Sequence, residues 1–475
     1  MHDGPMFSLV GHRNTLSEER LEEIHQAALH LAEDTGLNVR HAGLLGRLAG
    51  RHGIRITGQR VHFSAEIIEQ ALAAMRFPAI PKPDSYNVIA GACVVYTQDL
   101  DTGQVRDATL QDLIDLTILG EQLGVSGSPV LRPLDLPQPL QEIAMYKTTW
   151  EYSRMRPEPL YDNTLLSDVV TAETVYEMAQ TIGKPFSVGM YLISPFSCPH
   201  ERLEVIAAFL DRGVPMWVGS MPVVGLTAPI FLLAAYVQAL AELMAGAALL
   251  YTLTENKVPF YWIPIDSVRA HPFDMRRAHF VYGSPEDIVG TILQVQLNRR
   301  YRCPLVAKSL LTTAREPDEQ AAAEKAAHTL LAALAGFRTF TNGGLLANDE
   351  YVSPVQLLID REIVDYVSKV IEGVADDDRA LGLDVIREVV MQGGGFIEHE
   401  STLRHFRETA WDPPLFSHIA LKAASEESRV PPLATRALEK AKKHIAAGDY
   451  VLPESDRRAL EAIYRRTSHK LESGH

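Results

Sequence analysis

The sequence predicts an α/β fold: a (β/α)8 TIM barrel with an N-terminal helical subdomain and C-terminal helices. Three observations lead there. From about residue 126 onward, eight short apolar or β-branched runs alternate with helix-like segments, the pattern of a closed parallel barrel. No GxGxxG or GxxxxGK[ST] loop follows a predicted strand, so the usual mark of an open doubly wound sheet is missing. The chain has 475 residues, 46% hydrophobic and 22% charged, which suits a barrel with additions.

The elements follow in order. Thr15 and Glu18 have the spacing of a capping box. Leu21, Ile24, Ala28 and Leu31 then recur at helical spacing, and Gly36 ends the run. A second short helix is expected over 41–48. Ile54–Ile56 and Val61–Phe63, joined through Gly58, predict a hairpin, and Ser64 caps a helix through Ile68 and Leu72. Pro78, Pro81 and Pro83 close a subdomain spanning 1–90. A second hairpin runs from Val94 to Thr97, turns at Asp101-Thr102-Gly103 and returns through Val105. A helix is expected over 107–119, with Gly120 as its stop.

The barrel, with that hairpin, is assigned to 91–420. Its eight strands are predicted at 125–130, 160–163, 186–192, 216–220, 258–265, 304–308, 338–342 and 393–397. A C-terminal helical extension takes 421–475, and its charged helix is expected on the outside of the barrel.

Composition narrows the class. The formal net charge is -15, which disfavours a phosphate backbone, so no nucleic-acid partner is expected. Cys93, Cys198 and Cys303 are far apart and form no CxxC pair, which fits a reducing, cytoplasmic location. Met1 to Leu9 lacks a basic segment followed by an apolar core, so no leader is expected. The stretch from Pro229 to Leu253 is apolar, but Gln238 and Glu242 interrupt it one turn apart. A buried barrel helix is therefore expected rather than a membrane span. So apolar a helix also suits a subunit interface, and a homo-oligomer is expected.

In this fold the chemistry sits just past the carboxyl ends of the strands. Tyr261 and Trp262, with Asp266 nearby, fit a site for a cation, because ring quadrupoles attract quaternary ammonium groups. The competing reading puts one ring in the barrel and the other under a helix. Asn342-Gly343-Gly344 offers a close backbone approach, or an ordinary tight turn. Glu398, His399 and Thr402 follow the last predicted strand, although a lone histidine also serves as a structural hydrogen-bond partner. Tyr96, on the second hairpin, completes the candidate substrate-binding set. Lys308, at a strand end, is the candidate amine nucleophile for Schiff-base chemistry, with a salt bridge as the alternative. No HExxH or G-x-S-x-G motif occurs, so no metal site is expected and no catalytic residue is assigned.

Several segments carry a family resemblance: 16–21 with its helix, Asp101-Thr102-Gly103 with Ala108-Thr109 and Asp112, and 225–229 with Ala241-Glu242. Pro317 to Ala321 with Glu324-Lys325, Asp384 to Glu388, and Thr402 to Arg407 continue it. Together they resemble the trimethylamine methyltransferase family, nearly end to end. The resemblance implies a (β/α) barrel that moves a methyl group from a methylated amine to cob(I)alamin carried by a separate corrinoid protein, with no cofactor held tightly by this chain. Some members carry pyrrolysine and use trimethylamine. This sequence has standard residues only, so it resembles the branch that takes quaternary amines such as glycine betaine. Two positions depart from the family pattern: Ser401 stands where His often precedes Thr, and Thr312 to Arg315 replaces a Ser-Asp-Ser-Lys-like segment, putting Ala314 at its third position. Two other readings stand beside methyl transfer: a Schiff-base aldolase or lyase using Lys308, and an amine-binding barrel without catalysis.

Overall fold

A computed structural model of the chain describes residues 16–78, 86–90, 93–154, 166–374, 381–419 and 430–472. The amino-terminal part is an antiparallel sheet of β1 (Leu37–Asn38), β2 (Ile54–Thr57) and β3 (Arg60–Phe63), in the order β1-β3-β2. The helices Glu18–Thr35, Ala42–Leu48 and Ala65–Ala74 accompany it. Ser17 caps the first helix, its hydroxyl accepting from the Arg20 N–H at 3.2 Å. A Ser oxygen at the N-cap satisfies a backbone donor that the helix leaves unpaired. Thr15, the expected cap, lies outside the described residues. Ser64 caps the third helix as its sequence predicts.

β4 (Asn87–Ile89) comes next, then the hairpin of β5 (Tyr96–Gln98) and β6 (Val105–Asp107). β7 (Val188–Leu192), β8 (Met216–Ser220) and β9 (Phe260–Trp262) form a parallel sheet in that order. In the loop after β9, β10 (Phe273–Asp274) pairs antiparallel with β11 (His279–Phe280). A second parallel sheet joins β12 (Val306–Ala307) to β13 (Thr339–Thr341), and β13 to β4. Ile89 extends it through a parallel bridge to Ser126. β14 (Leu345–Leu346) and β15 (Tyr351–Val352) complete a four-stranded sheet with the hairpin, in the order β14-β15-β5-β6. The molecule is an α/β protein with helices between successive parallel strands.

Three expectations are corrected. Gly393 to Ile397 is not a strand. Gly393 ends the helix Leu383–Gln392 with φ 72, and Phe396–Glu398 forms a 3-10 turn. Three glycines bring no side chains to a sheet and readily terminate a helix. Conversely, Asn87–Ile89, for which no strand was expected, is a parallel strand paired with β13. Three residues are too few for periodicity to reveal. The helix expected over 107–119 runs from Leu110 to Gln122, because Thr109 and Asp112 form a reciprocal capping box that sets its start, and Gly120 lies within it. Residues 160–163, expected as a strand, lie outside the described residues.

The helix Leu232–Thr254 is the long apolar element of the core. Among the described residues it alone is long and apolar enough to cross a membrane, and 78% of its most apolar window is buried inside the protein. The helices Glu18–Thr35 and Ala65–Ala74 pack against it on one side and β8 and β9 on the other.

Candidate functional site at the strand carboxyl ends

Two glycines set the geometry. In the β7–β8 ladder Gly189 pairs with Trp217, and Tyr191 pairs with Gly219. A Cβ on Gly189 would stand 2.2 Å from the Trp217 ring, and one on Gly219 would stand 2.5 Å from the Tyr191 ring. The missing side chains let the two rings meet edge to face, 5.3 Å between centroids. This packing aims the Tyr191 hydroxyl at Asp266, to which it donates at 2.8 Å.

Asp266 organises a buried polar cluster. It sits in the 3-10 turn after β9 and is 1% exposed. The Lys308 ammonium, just past β12, lies 2.6 Å from its Oδ1, and His271 Nε2 lies 3.6 Å from the same atom. His271 Nδ1 shares a hydrogen with the Tyr282 hydroxyl at 3.1 Å. Burial raises the Asp266 carboxyl, but the Lys308 charge beside it and the hydrogen bond from Tyr191 outweigh it, so the group lies below the usual carboxylate range. His271 is held well below its ordinary value, first by burial and then by the Lys308 charge, and is neutral. Half-buried Asp349 is raised to about 6 by burial, with Lys308 opposing. The backbone is strained here: Val268 has φ 41, and Ala347, Asn348 and Asp349 run through φ 51, 57 and 66. Such strain persists where the surroundings over-determine it, commonly at functional sites.

A second cluster surrounds Glu242, fully buried on the long apolar helix. Ser194 donates to it at 2.7 Å, the Phe196 N–H at 3.2 Å and Gln238 at 2.9 Å, and Ser220 donates as well. Burial raises this carboxyl and the hydroxyl and amide donors oppose the rise. Glu242 thereby ties the loop after β7 to the end of β8. On the far side, Lys325 pairs with Asp360 at 2.8 Å with both side chains fully buried, and Asp360 also accepts from the Gly344 N–H at 2.7 Å. This pair fixes the turn after β13. Beside the Asp266 cluster, the loops after β8 and β9 enclose a cleft of about 530 Å³, lined by Val224, Ile230, Pro272, Phe273, Met275 and Glu286 among others.

The predicted site residues divide. Asp266, Asn342 and Gly343 all follow parallel strands at the same end. Asn342 has φ 70, and the Gly343 N–H donates to the Ile89 carbonyl at 3.1 Å. Tyr261 is fully buried in an apolar cluster with Ile89, Trp217, Ile263, Ile265 and Val306. Trp262 points the other way and donates to the Leu243 carbonyl at 2.9 Å under the long helix. The two rings therefore do not form one cage, because adjacent strand residues face opposite sides. Tyr96 is 43% exposed on β5, in the sheet beside the parallel layer. Glu398, His399 and Thr402 lie on the helical segment that replaces the eighth predicted strand; His399 Nδ1 caps Ser401 N–H at 3.1 Å and its Nε2 lies 3.6 Å from Glu388. Ala314 is buried in a small apolar cluster with Ala321, Leu346 and Tyr351.

Lys308 takes the salt-bridge alternative rather than standing as a free amine. His271, Tyr282 and Asp349 were missed because they sit in loops beyond the strand ends, where neither spacing nor periodicity marks them. Glu242 did carry a signal: one carboxylate in an otherwise apolar helix needs buried donors. Among the described residues no group of three or more His, Cys, Asp or Glu side chains is placed to hold a metal ion.

Parallel strands with helices between them, and a buried, mutually bonded polar cluster at their carboxyl ends, define the chain as an α/β protein. The sequence profile of the trimethylamine methyltransferase (MTTB) family matches residues 8–471, and the chain belongs to that family. It is 24% identical to the glycine betaine methyltransferase of Desulfitobacterium hafniense (strain Y51), over 95% of this chain and 96% of the relative. It is 25% identical to the trimethylamine methyltransferase MttB of Methanosarcina thermophila, over 82% and 84%. The crystal structure of the Methanosarcina barkeri monomethylamine methyltransferase aligns at 12% identity with a TM-score of 0.48, over 92% and 89%. The chain is a methyltransferase, of a family whose members act on methylated amines together with corrinoid proteins.

Proposed function

We propose that this chain moves a methyl group from a quaternary amine to cob(I)alamin carried by a partner corrinoid protein, inside a cytoplasmic (β/α)8 barrel. Nucleic acid and membrane have no part in it. The barrel reading is supported by one apolar cluster: Ile89, Trp217, Tyr261 and Val306 come from β4, β8, β9 and β12, so both parallel sheets share an interior.

The observation that carries the chemical reading is that the polar groups at the strand ends are committed to one another. Asp266 is engaged by Lys308 and Tyr191, and Glu242 by four donors. His271 is neutral. Asp266, Glu242 and His271, so engaged, have little to offer as a nucleophile or general acid. A quaternary nitrogen needs neither: the cobalt(I) electron pair forms the new bond to the methyl carbon, the C–N bond breaks, and the nitrogen keeps its pair as a neutral tertiary amine. The chain's own task is to exclude water and to aim one methyl group, which is catalysis by positioning. Asp266, Tyr261, Asn342 and Gly343 remain the proposed substrate-side residues.

The test is an anaerobic panel of glycine betaine, carnitine, choline and trimethylamine with chemically reduced cob(I)alamin. Methylcobalamin forms from a quaternary compound. No product from any quaternary compound, or product from trimethylamine alone, overturns the proposal.

A further inference from the structure

We propose that Asp349 is the counter-charge for the substrate's quaternary nitrogen, and that with the aromatic hairpin β10–β11 it selects a cation at the strand ends. This rests on the quaternary-amine reading above and adds to it the residue that meets the charge. Asp349 lies in the turn between β14 and β15. Its half-buried carboxylate makes no hydrogen bond or ion pair with the described residues. Ala347, Asn348 and Asp349 hold φ 51, 57 and 66, a run that needs support from outside the turn. That support is present. The Ala347 N–H donates to the Ala314 carbonyl at 2.7 Å, and the Asn348 N–H to the Thr312 carbonyl at 2.9 Å. Asn348 Oδ1 accepts from the Tyr282 N–H at 3.3 Å, and its Nδ2 lies 3.1 Å from His279 Nδ1. His279 and Tyr282 flank Phe280 in the chain, so the turn is held against the hairpin. The Phe280 ring stacks on Tyr282 with 5.3 Å between centroids and meets Phe273 edge to face at 5.8 Å. Phe273 also lines the cleft of about 530 Å³. Aromatic rings beside an unpaired carboxylate suit a quaternary ammonium group, which cannot donate a hydrogen bond and is held by charge and ring quadrupole.

The charge balance points the same way. Lys308 and Asp266 cancel in their pair, and Arg269 and Asp287 in theirs. His271 is neutral, and its Nδ1 is bonded to the Tyr282 hydroxyl. Glu324 is taken up by Thr312 and Gln320, while Glu350 and His279 are exposed to water. Asp349 is the carboxylate left over. Burial raises it to about 6 against the pull of Lys308. A cation placed beside it favours the charged form, so binding releases a proton. The nitrogen loses its charge as the methyl group leaves, so the contact is strongest before reaction. Asp349 therefore binds and selects the substrate and does not speed the transfer.

The test is calorimetry on the full chain, without corrinoid, using glycine betaine, carnitine, choline and the uncharged carbon isostere of choline. A quaternary compound should bind more tightly at about pH 8 than at about pH 5, with proton release near pH 6 seen as a buffer-dependent heat. Asp349→Asn should weaken binding at about pH 8 by at least about tenfold and remove the pH dependence. It should fold at least as stably as the parent there, because the raised carboxyl opposes folding when charged. With cob(I)alamin added, KM should rise and kcat stay within about twofold. Equal binding by Asp349→Asn, parental binding that does not change with pH, or an isostere that binds as tightly as choline overturns this proposal and leaves the quaternary-amine reading standing. A parent chain that binds none of the quaternary compounds overturns both.

Discussion

Removing the Lys308 amine would leave the Asp266 carboxylate buried, with Tyr191 as its remaining donor at hydrogen-bond distance. Breaking a buried pair from one side costs about 3–5 kcal/mol, because the other charge stays in the interior. Urea unfolding of Lys308→Met should show a loss of that size, and Lys308→Met/Asp266→Leu a smaller one. Equal losses would mean that the two groups do not depend on each other. Asp349 makes a prediction of opposite sign. Its folded-state carboxyl is raised to about 6, so its contribution is complete below its ordinary value and is lost as pH rises through about 6. The urea midpoint of the parent chain should therefore fall between pH 4 and 6 relative to Asp349→Asn. Asp266, lowered, behaves in reverse: its contribution is present above its unfolded value and is lost as pH falls through its lower folded value. Neutral His271 should add no inflection near its ordinary value to the pH profile of methyl transfer, and His271→Gln should leave that profile's shape unchanged.

At the scale of elements, the glycine-for-ring exchanges of β7 and β8 are the sharpest tests. Gly189→Ala would bring a Cβ to 2.3 Å of the Trp217 carbonyl, a backbone atom that has nowhere to move. Overpacking of this kind costs about 1–3 kcal/mol or more, readable as a lower urea midpoint. Gly219→Ala meets the Tyr191 ring instead, and should depress kcat by turning the hydroxyl from Asp266 while lowering stability less. A variant with full kcat would show that the Tyr191 position does not matter.

The same scale shows why some elements were legible and others not. β8 is predicted at its observed limits because Met216 to Ser220 is a short apolar run buried throughout. The pairing of Tyr191 with Gly219 depends on the register between strands, which no single run encodes. Gly393 to Ile397 misled because apolar residues after glycines have the composition of a strand entrance. The physical difference lies in Leu383, Ile386 and Val390 before them, whose spacing is helical. Asp266 and Lys308 were legible as strand-end residues, but their commitment to one another was not, since 42 residues separate them in the chain.

For the whole molecule, the motifs that carry the resemblance spread from the first helix to the helix Glu400–Thr409, and the family match, residues 8–471, covers the same span. The two departures from the family pattern fall in different places. Ala314 is buried beyond β12, while Ser401 lies on the helix Glu400–Thr409, beside the cap that His399 provides. Ser401→His should therefore leave substrate turnover close to the parental rate, measured by methylcobalamin formation. The account's central claim is that the methyl group leaves a nitrogen already charged, without proton donation by the protein. A single-turnover reaction of trideuteromethyl-labelled quaternary amine with cob(I)alamin tests it most directly. The account predicts one labelled methylcobalamin per tertiary amine released, at rates in H2O and D2O that agree to within about 1.3-fold, since no proton moves in the slow step. Unlabelled product, or a rate at least about twofold slower in D2O with an acidic limb in its pH profile, would contradict it.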